Sequence, residues 1–190
     1  ALPNRPSIER KTHSFSFIYV GRLVKLKRVD DILRALSILI QSGFDAHLYI
    51  VGDGPERQYL EKVGRELGIY KSLSFVGFQD NPYNWMKQAD CLILASEYEG
   101  MGNVLVEAIG LGLEVISSDC QYGPSEIFKA CKSGILYKTG DVEELAEKMG
   151  NVIDRTGRVS ILANTEQFGV DYSAERWLRL VDGLSAVPAK

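Results

Sequence analysis

The stretch FSFIYVGRLVKLKRVDDILRALSILI, residues 15–40, decides how this chain is read. It opens with a short apolar run rich in Phe, Ile, Tyr and Val, the composition of a buried strand. A glycine and a basic turn follow. Apolar side chains then recur at Val29, Ile32, Leu33, Leu36, Leu39 and Ile40, a one-faced period of about 3.6 that predicts a helix over 27–40. Strand, turn and helix therefore succeed one another within 26 residues.

The same rhythm continues along the chain. Strand candidates are FSFIYVG (15–21), AHLYIVG (46–52), LSFVGF (73–78), CLILAS (91–96), EVISSD (114–119) and GILY (134–137). Helical patterns fall between or after them at 27–40, 55–68, 82–89, 103–112, 124–130 and 141–156. The helix over 55–68 has proline in its first turn and ends on glycine. The strand runs are continuous rather than alternating, as in strands covered on both faces. Strict alternation of strand and helix predicts an α/β fold: a Rossmann-like, doubly wound parallel sheet of about six strands with helices on both faces. Two more helical segments, near 158–168 and 173–185, are expected to finish the chain. The expected organisation is a linker over 1–13, one domain over 14–157, and C-terminal helices over 158–190. The first residue is not methionine and residues 1–13 lack apolar periodicity, so a piece of a longer protein is expected.

Composition narrows the function classes. With 190 residues, 45% hydrophobic and 25% charged, the chain suits one well-buried domain. A net charge of -3 argues against a generic nucleic-acid or anionic-membrane surface. Cys91, Cys120 and Cys131 have no metal spacing and read as free thiols, which suits a reducing compartment. No apolar run reaches about 18 residues, the span of a membrane helix. His13 and His47 both lie away from the ligand-facing loops, so a histidine base is not expected, and HExxH, P-loop and GxSxG motifs are absent.

In such a sheet ligands bind at the carboxyl ends of the strands. That selects the loops 21–27, 52–55, 78–82, 97–103 and 119–125. In the first, Arg22, Lys25, Lys27 and Arg28 crowd a helix N-terminus, the unfavourable end for cations. Either a phosphate relieves the mismatch, or the loop is solvated and partly compensated by Asp30 and Asp31. In the second loop, Gly52 and Gly54 lack the third glycine of a dinucleotide fingerprint, since position 57 is Arg. They are read as allowing a tight backbone turn.

The fourth loop carries Glu99, and Glu107 lies eight residues further on. Asn103 is the expected N-cap of the helix that begins there, and Val106 occupies the capping-box acid position, so Glu107 does not simply cap. The helix is apolar nearly all round and is expected to be buried. A buried Glu107 carboxylate needs a partner, either a vicinal diol such as ribose or a neighbouring structural group. Glu99 precedes the helix, so the two acids do not share one helical face as a paired-carboxylate site would ask. Gly100 and Gly102 permit close ligand approach, and the N–H groups of residues 101–105 form an anion seat.

Together these pieces resemble a known family. FIYVGRLVKLKRVDDILRAL, LYIVGDGPE, LSFVGFQDN, ADCLILASEYEGMGNVLVEAIGLGLEVISSD and GPSEIF, in this order over residues 15–137, resemble the C-terminal, donor-binding domain of a GT-B glycosyltransferase of family 4. The resemblance implies that Arg22 and Lys27, beside Gly21, hold a donor diphosphate. It implies that Glu107 holds the ribose, that Glu99 contacts the donor sugar, and that Gly100 lies in the same loop. Backbone groups at Met101, Gly102, Asn103, Val104 and Leu105 would contact sugar and phosphate, and Phe78 and Gln79 would face the base. Arg22, Lys27 and Glu99 are the catalytic candidates.

The resemblance further implies a retaining enzyme that works without a metal or other cofactor, its donor a nucleotide-diphosphate sugar. DCQYGPSEIF is similar to members that use UDP-galactose or UDP-hexosamine, so a UDP-sugar is favoured. The acceptor would be a glycan or a lipid-linked glycan in bacterial surface polysaccharide or lipopolysaccharide synthesis. An N-terminal domain would carry the acceptor contacts, and YSAERWLRLVDGL is similar to the segment that crosses back to it. This chain alone is expected to be inactive. The expected location is the cytoplasm, peripheral to the inner face of the membrane through that missing domain. The alternatives are a nucleotide-sugar-binding module without turnover, or half of a GT-B epimerase or phosphorylase. One departure is Glu114, which stands where the family pattern usually has proline.

Overall fold

The computed structural model describes residues 14–100 and 102–156. The expected linker over 1–13, Met101 and the expected helices at 158–168 and 173–185 lie outside these residues. Six strands form one sheet: β1 (Phe15–Val20), β2 (Ala46–Val51), β3 (Leu73–Gly77), β4 (Cys91–Leu94), β5 (Glu114–Ser118) and β6 (Ile135–Tyr137). Their order is β3-β2-β1-β4-β5-β6, and every named pairing is parallel. Six α-helices accompany them: α1 (Val29–Gln41), α2 (Arg57–Glu66), α3 (Tyr83–Met86), α4 (Asn103–Gly110), α5 (Pro124–Cys131) and α6 (Val142–Thr156). The α/β, Rossmann-like fold expected from the sequence is borne out.

The continuous apolar runs become the central strands for a simple reason. Phe17, Ile18 and Tyr19 of β1, and Cys91, Leu92 and Ile93 of β4, are fully buried. Successive side chains of a strand point to opposite faces, so both faces of these strands are covered. The chain runs outward from β1 through β2 to β3, then returns and runs the other way from β4 to β6. Right-handed crossovers put α1 and α2 on one face and α4 and α5 on the other. α6 packs back on α1. On α1, Val29, Ile32, Leu33, Leu36 and Leu39 are buried, the stripe that the sequence period marks.

Two helix starts differ from the expectation. Lys25–Lys27 form a separate 3-10 turn, and Arg28 takes a left-handed conformation (φ 46°), so α1 begins at Val29 rather than at residue 27. The Arg28 Nε donates to Asp31 Oδ2 over 2.7 Å, so the compensation by Asp31 is internal. α2 begins at Arg57, with Pro55 in the turn before it. At its end, Gly68 has φ 73° and closes the helix with a bond from its N–H to the Arg65 carbonyl. Glu114, at the position of the family's usual proline, donates its N–H to the Asp90 carbonyl over 3.3 Å, a bond that proline cannot make.

Candidate functional site

The strand order reverses between β1 and β4, so their following loops diverge there and leave a crevice at the carboxyl edge. On the β1–β2–β3 side is a cleft of about 450 Å³. Gly21 and Arg22 line it from the first loop, Gly52 and Asp53 from the second, and Phe78 and Gln79 from the third. Phe78 is 73% exposed, an unusual state for a phenylalanine at the mouth of a cleft. Gln79 is oriented by Trp85, whose indole N–H donates to its Oε1 over 3.3 Å. Arg22 is exposed, and among the described residues its guanidinium has no side-chain partner.

The first two loops are zipped together. The Leu23 N–H donates to the Asp53 carbonyl over 2.9 Å, and the Glu56 N–H donates back to the Leu23 carbonyl over 3.1 Å. A Cβ on Gly52 would lie 1.9 Å from the Gly21 carbonyl oxygen, and one on Gly54 would lie 2.3 Å from that of Leu23. Gly52 also has φ 140°, whereas Gly54 needs no left-handed backbone. The second glycine is thus explained by close approach rather than by a tight turn.

At the centre of the crevice, Lys27 and Glu99 meet. Lys27 Nζ lies 2.5 Å from Glu99 Oε1, and the Glu97 N–H donates to the Leu26 carbonyl, so the loops after β1 and β4 are joined twice. Glu99 is 8% exposed. The Ser96 hydroxyl donates to the same Oε1 over 2.5 Å, and the buried Ser118 hydroxyl donates to the Ser96 carbonyl over 2.7 Å. Tyr19 lies below; its hydroxyl donates to the Arg22 carbonyl over 3.0 Å. Burial pushes this phenol well up, and the nearby Glu99 charge pushes it further. Burial also raises the Cys120 thiol, against the opposing hydrogen bond to Ser118.

α4 starts at the rim. Its N-cap is Gly102, left-handed at φ 63°, and Asn103 is the first helical residue rather than the cap. No side chain caps this terminus. The Leu105 N–H donates to the Gly102 carbonyl over 2.8 Å, and the Leu105 side chain is fully buried in the core. The open donors of the first turn are therefore those of Asn103 and Val104. Contrary to the expectation of a buried helix, α4 buries one face only, through Leu105, Ala108 and Ile109. Glu107 is half-buried, and among the described residues its carboxylate accepts no hydrogen bond.

The sequence-derived residues thus fall into three groups. Gly21, Arg22, Phe78 and Gln79 share the cleft, Lys27 and Glu99 share an ion pair, and Gly100, Gly102, Asn103, Val104 and Glu107 run along the loop and into α4. No hydrogen bond or ion pair joins Glu107 to the other two groups among the described residues. The sequence reading missed Ser96 and Ser118, which look like ordinary strand-end serines. It also missed Tyr98 and Tyr122, exposed rings 6.4 Å apart on the loops after β4 and β5. Among the described residues no three His, Cys, Asp or Glu side chains converge as a metal site, and no helix is long and apolar enough to cross a membrane.

Comparison with known proteins agrees with this architecture. Residues 3–165 match the family model described as glycosyl transferases group 1. A lipopolysaccharide 1,6-galactosyltransferase of Escherichia coli (strain K12) is 36% identical over 133 residues, which are 67% of this chain and 36% of that protein. The solved apo form of the lipopolysaccharide outer core galactosyltransferase WaaB superposes with a TM-score of 0.76 at 29% identity, over 92% of this chain and 50% of that one. Anabaena Alr3699/HepE, solved in complex with UDP, has the same fold, with a TM-score of 0.78 at 24% identity, over 92% of this chain and 50% of that one. The chain thus spans 36% of the Escherichia coli relative and 50% of each of the two solved proteins. The resemblance read from the sequence is borne out: the chain belongs to the glycosyl transferases group 1 family.

Proposed function

We propose that this chain is the donor-binding part of a retaining glycosyltransferase that moves a sugar from a nucleotide diphosphate, UDP favoured, to a glycan or lipid-linked acceptor. The observation that carries the reading is a cleft that brings together an exposed Phe78 and an exposed Arg22 with no side-chain partner among the described residues, with the uncapped N-terminus of α4 at the same carboxyl edge of the sheet. An arginine and open helix N–H groups are complementary to a diphosphate. An exposed aromatic ring at a cleft mouth is complementary to the flat face of a base. Glu107, without a partner among the described residues, is available to the ribose hydroxyls.

In this reading Arg22 and Lys27 stabilise the negative charge that grows on the leaving diphosphate. The loop that carries both is anchored by backbone bonds to the segments after β2 and β4, so its backbone is set before a donor arrives. Glu99 accepts hydrogen bonds from donor-sugar hydroxyls. No step calls for a metal ion or another cofactor. The acceptor is held by the remainder of the longer protein, and this chain alone turns nothing over. The Escherichia coli relative supports a role in surface-glycan synthesis, and the reading carries with it a location in the cytoplasm, peripheral to the inner face of the membrane through the remainder of the protein.

Calorimetric titration of the chain with UDP, with NAD as control, tests the reading. UDP should bind and NAD should not. Absence of UDP binding up to about 1 mM, equivalent to about -4 kcal/mol, overturns it.

A further inference from the structure

Below the Lys27–Glu99 pair lies a polar layer to which the proposed function gives no task. Ser96 is fully buried just beyond β4, and its hydroxyl donates to Glu99 Oε1. Its backbone is held in turn, since its carbonyl accepts from Ser118, which is fully buried in β5. Cys120 lies against both Ser118 and the Glu99 backbone. Among the described residues the hydrogen bonds to the carboxylate of Glu99, from Ser96 and Lys27, both fall on one oxygen. Among the described residues the other oxygen, Oε2, has no partner.

Lys27 faces two competing demands. It neutralises Glu99 through the ion pair. A diphosphate in the crevice attracts the same ammonium group. When Lys27 turns toward the phosphate, a carboxylate that is 8% exposed loses its counter-ion and one of its two hydrogen bonds. An unsatisfied buried charge is costly and drifts toward water. The Ser96 hydroxyl does not depend on the ligand, because its residue is fully buried and its carbonyl is held by Ser118 of β5.

We propose that Ser96 is a positioning residue, which holds Oε1 of Glu99 so that Oε2 stays aimed at the donor sugar while Lys27 serves the diphosphate. The proposal rests on the donor-binding reading above. A serine that merely fills a strand end would affect fold stability, or UDP and UDP-sugar binding alike. A positioning serine affects the contribution of the sugar alone.

The test is a set of titrations of the parent chain, Ser96→Ala, Glu99→Ala and the double variant. Each is measured with UDP and with UDP-glucose, UDP-galactose and their N-acetylamino counterparts, and thermal melting confirms folding. Ser96→Ala should bind UDP within about twofold of the parent, the scatter of independent sites. The UDP-sugar that binds best should lose about tenfold, the size of one hydrogen bond to a charged group. That loss should vanish when Glu99 is already alanine. Should Ser96→Ala fail to fold, Ser96→Cys keeps the volume, weakens the donor, and carries the same comparison. Equal losses for UDP and UDP-sugar, no loss at all, or a loss that persists without Glu99 would overturn the proposal. If the parent binds UDP but gains nothing from any sugar, this inference fails while the nucleotide site stands. If the parent does not bind UDP, both fail.

Discussion

Lys27 and Glu99 form an ion pair across the gap where the strand order reverses, Nζ to Oε1 at 2.5 Å, although 72 residues separate them. Both side chains are largely shielded, with 23% and 10% of their side-chain surface exposed. The pair couples the loop that offers positive charge to the loop that leads into α4. It also makes Glu99 a competitor of any diphosphate for the same ammonium group.

That competition has a measurable sign. Glu99→Gln keeps the shape and removes the charge, so Lys27 is released toward the phosphates. UDP without a sugar should bind this variant at least as tightly as the parent. A clear loss of UDP affinity in a folded Glu99→Gln chain would show that Glu99 supports the nucleotide itself.

Glu107 should behave differently. It is half-buried and has no partner among the described residues, so its removal costs the fold little. Glu107→Ala should weaken UDP binding by about 1–3 kcal/mol, the range for hydrogen bonds to a charged group. The urea midpoint should stay close to that of the parent. Unchanged UDP affinity in the folded variant rules out a ribose contact.

Gly54 tests the fold rather than the ligand. A Cβ there meets the Leu23 carbonyl oxygen at 2.3 Å, and that carbonyl already accepts the Glu56 N–H. Neither backbone can yield without unzipping the first two loops. Gly54→Ala should cost at least about 2 kcal/mol in chemical denaturation, as overpacking does. A stability equal to the parent would mean that the two loops are not held together as described.

Alkaline pH should destabilise the chain. Burial raises the Cys91 and Cys120 thiols above their ordinary value near 9, and the Tyr19 and Tyr137 phenols above theirs near 10. Below these values the unfolded and folded chains hold the same protons on these groups. Above them the unfolded chain releases protons that the folded chain keeps, so stability falls as pH rises, by at most about 1.4 kcal/mol per pH unit for each group. Urea midpoints at about pH 7.5 and about pH 10.5 measure this. A midpoint that holds steady or rises would contradict the burial of these four groups.

Much of the fold was legible because its signals are local. Residues 15–40 carry a continuous apolar run followed by a one-faced helical period, and β1 and α1 appear within two residues of the expected limits. The first basic loop and the loop before α4 were legible as candidate site loops for the same reason, since topology alone puts them at the carboxyl edge. What escaped the sequence depends on tertiary distance. Nothing near Lys27 announces Glu99, and Ser96 looks like the last residue of a strand. Gly54 reads as a turn glycine until the Leu23 carbonyl is seen beside it. Glu107 was expected to be buried because its neighbours are apolar, yet an eight-residue helix on the rim of a sheet covers only one face.

The most direct measurement of the central claim is the affinity of the parent chain and of Arg22→Ala for UDP and for uridine. Arg22 is exposed, lines the cleft, and has no side-chain partner among the described residues. If the crevice holds a diphosphate on Arg22, the variant loses far more affinity for UDP than for uridine, and it melts like the parent. Equal losses for the two ligands, or no loss for UDP, would contradict a diphosphate seat at Arg22 and with it the donor-binding account.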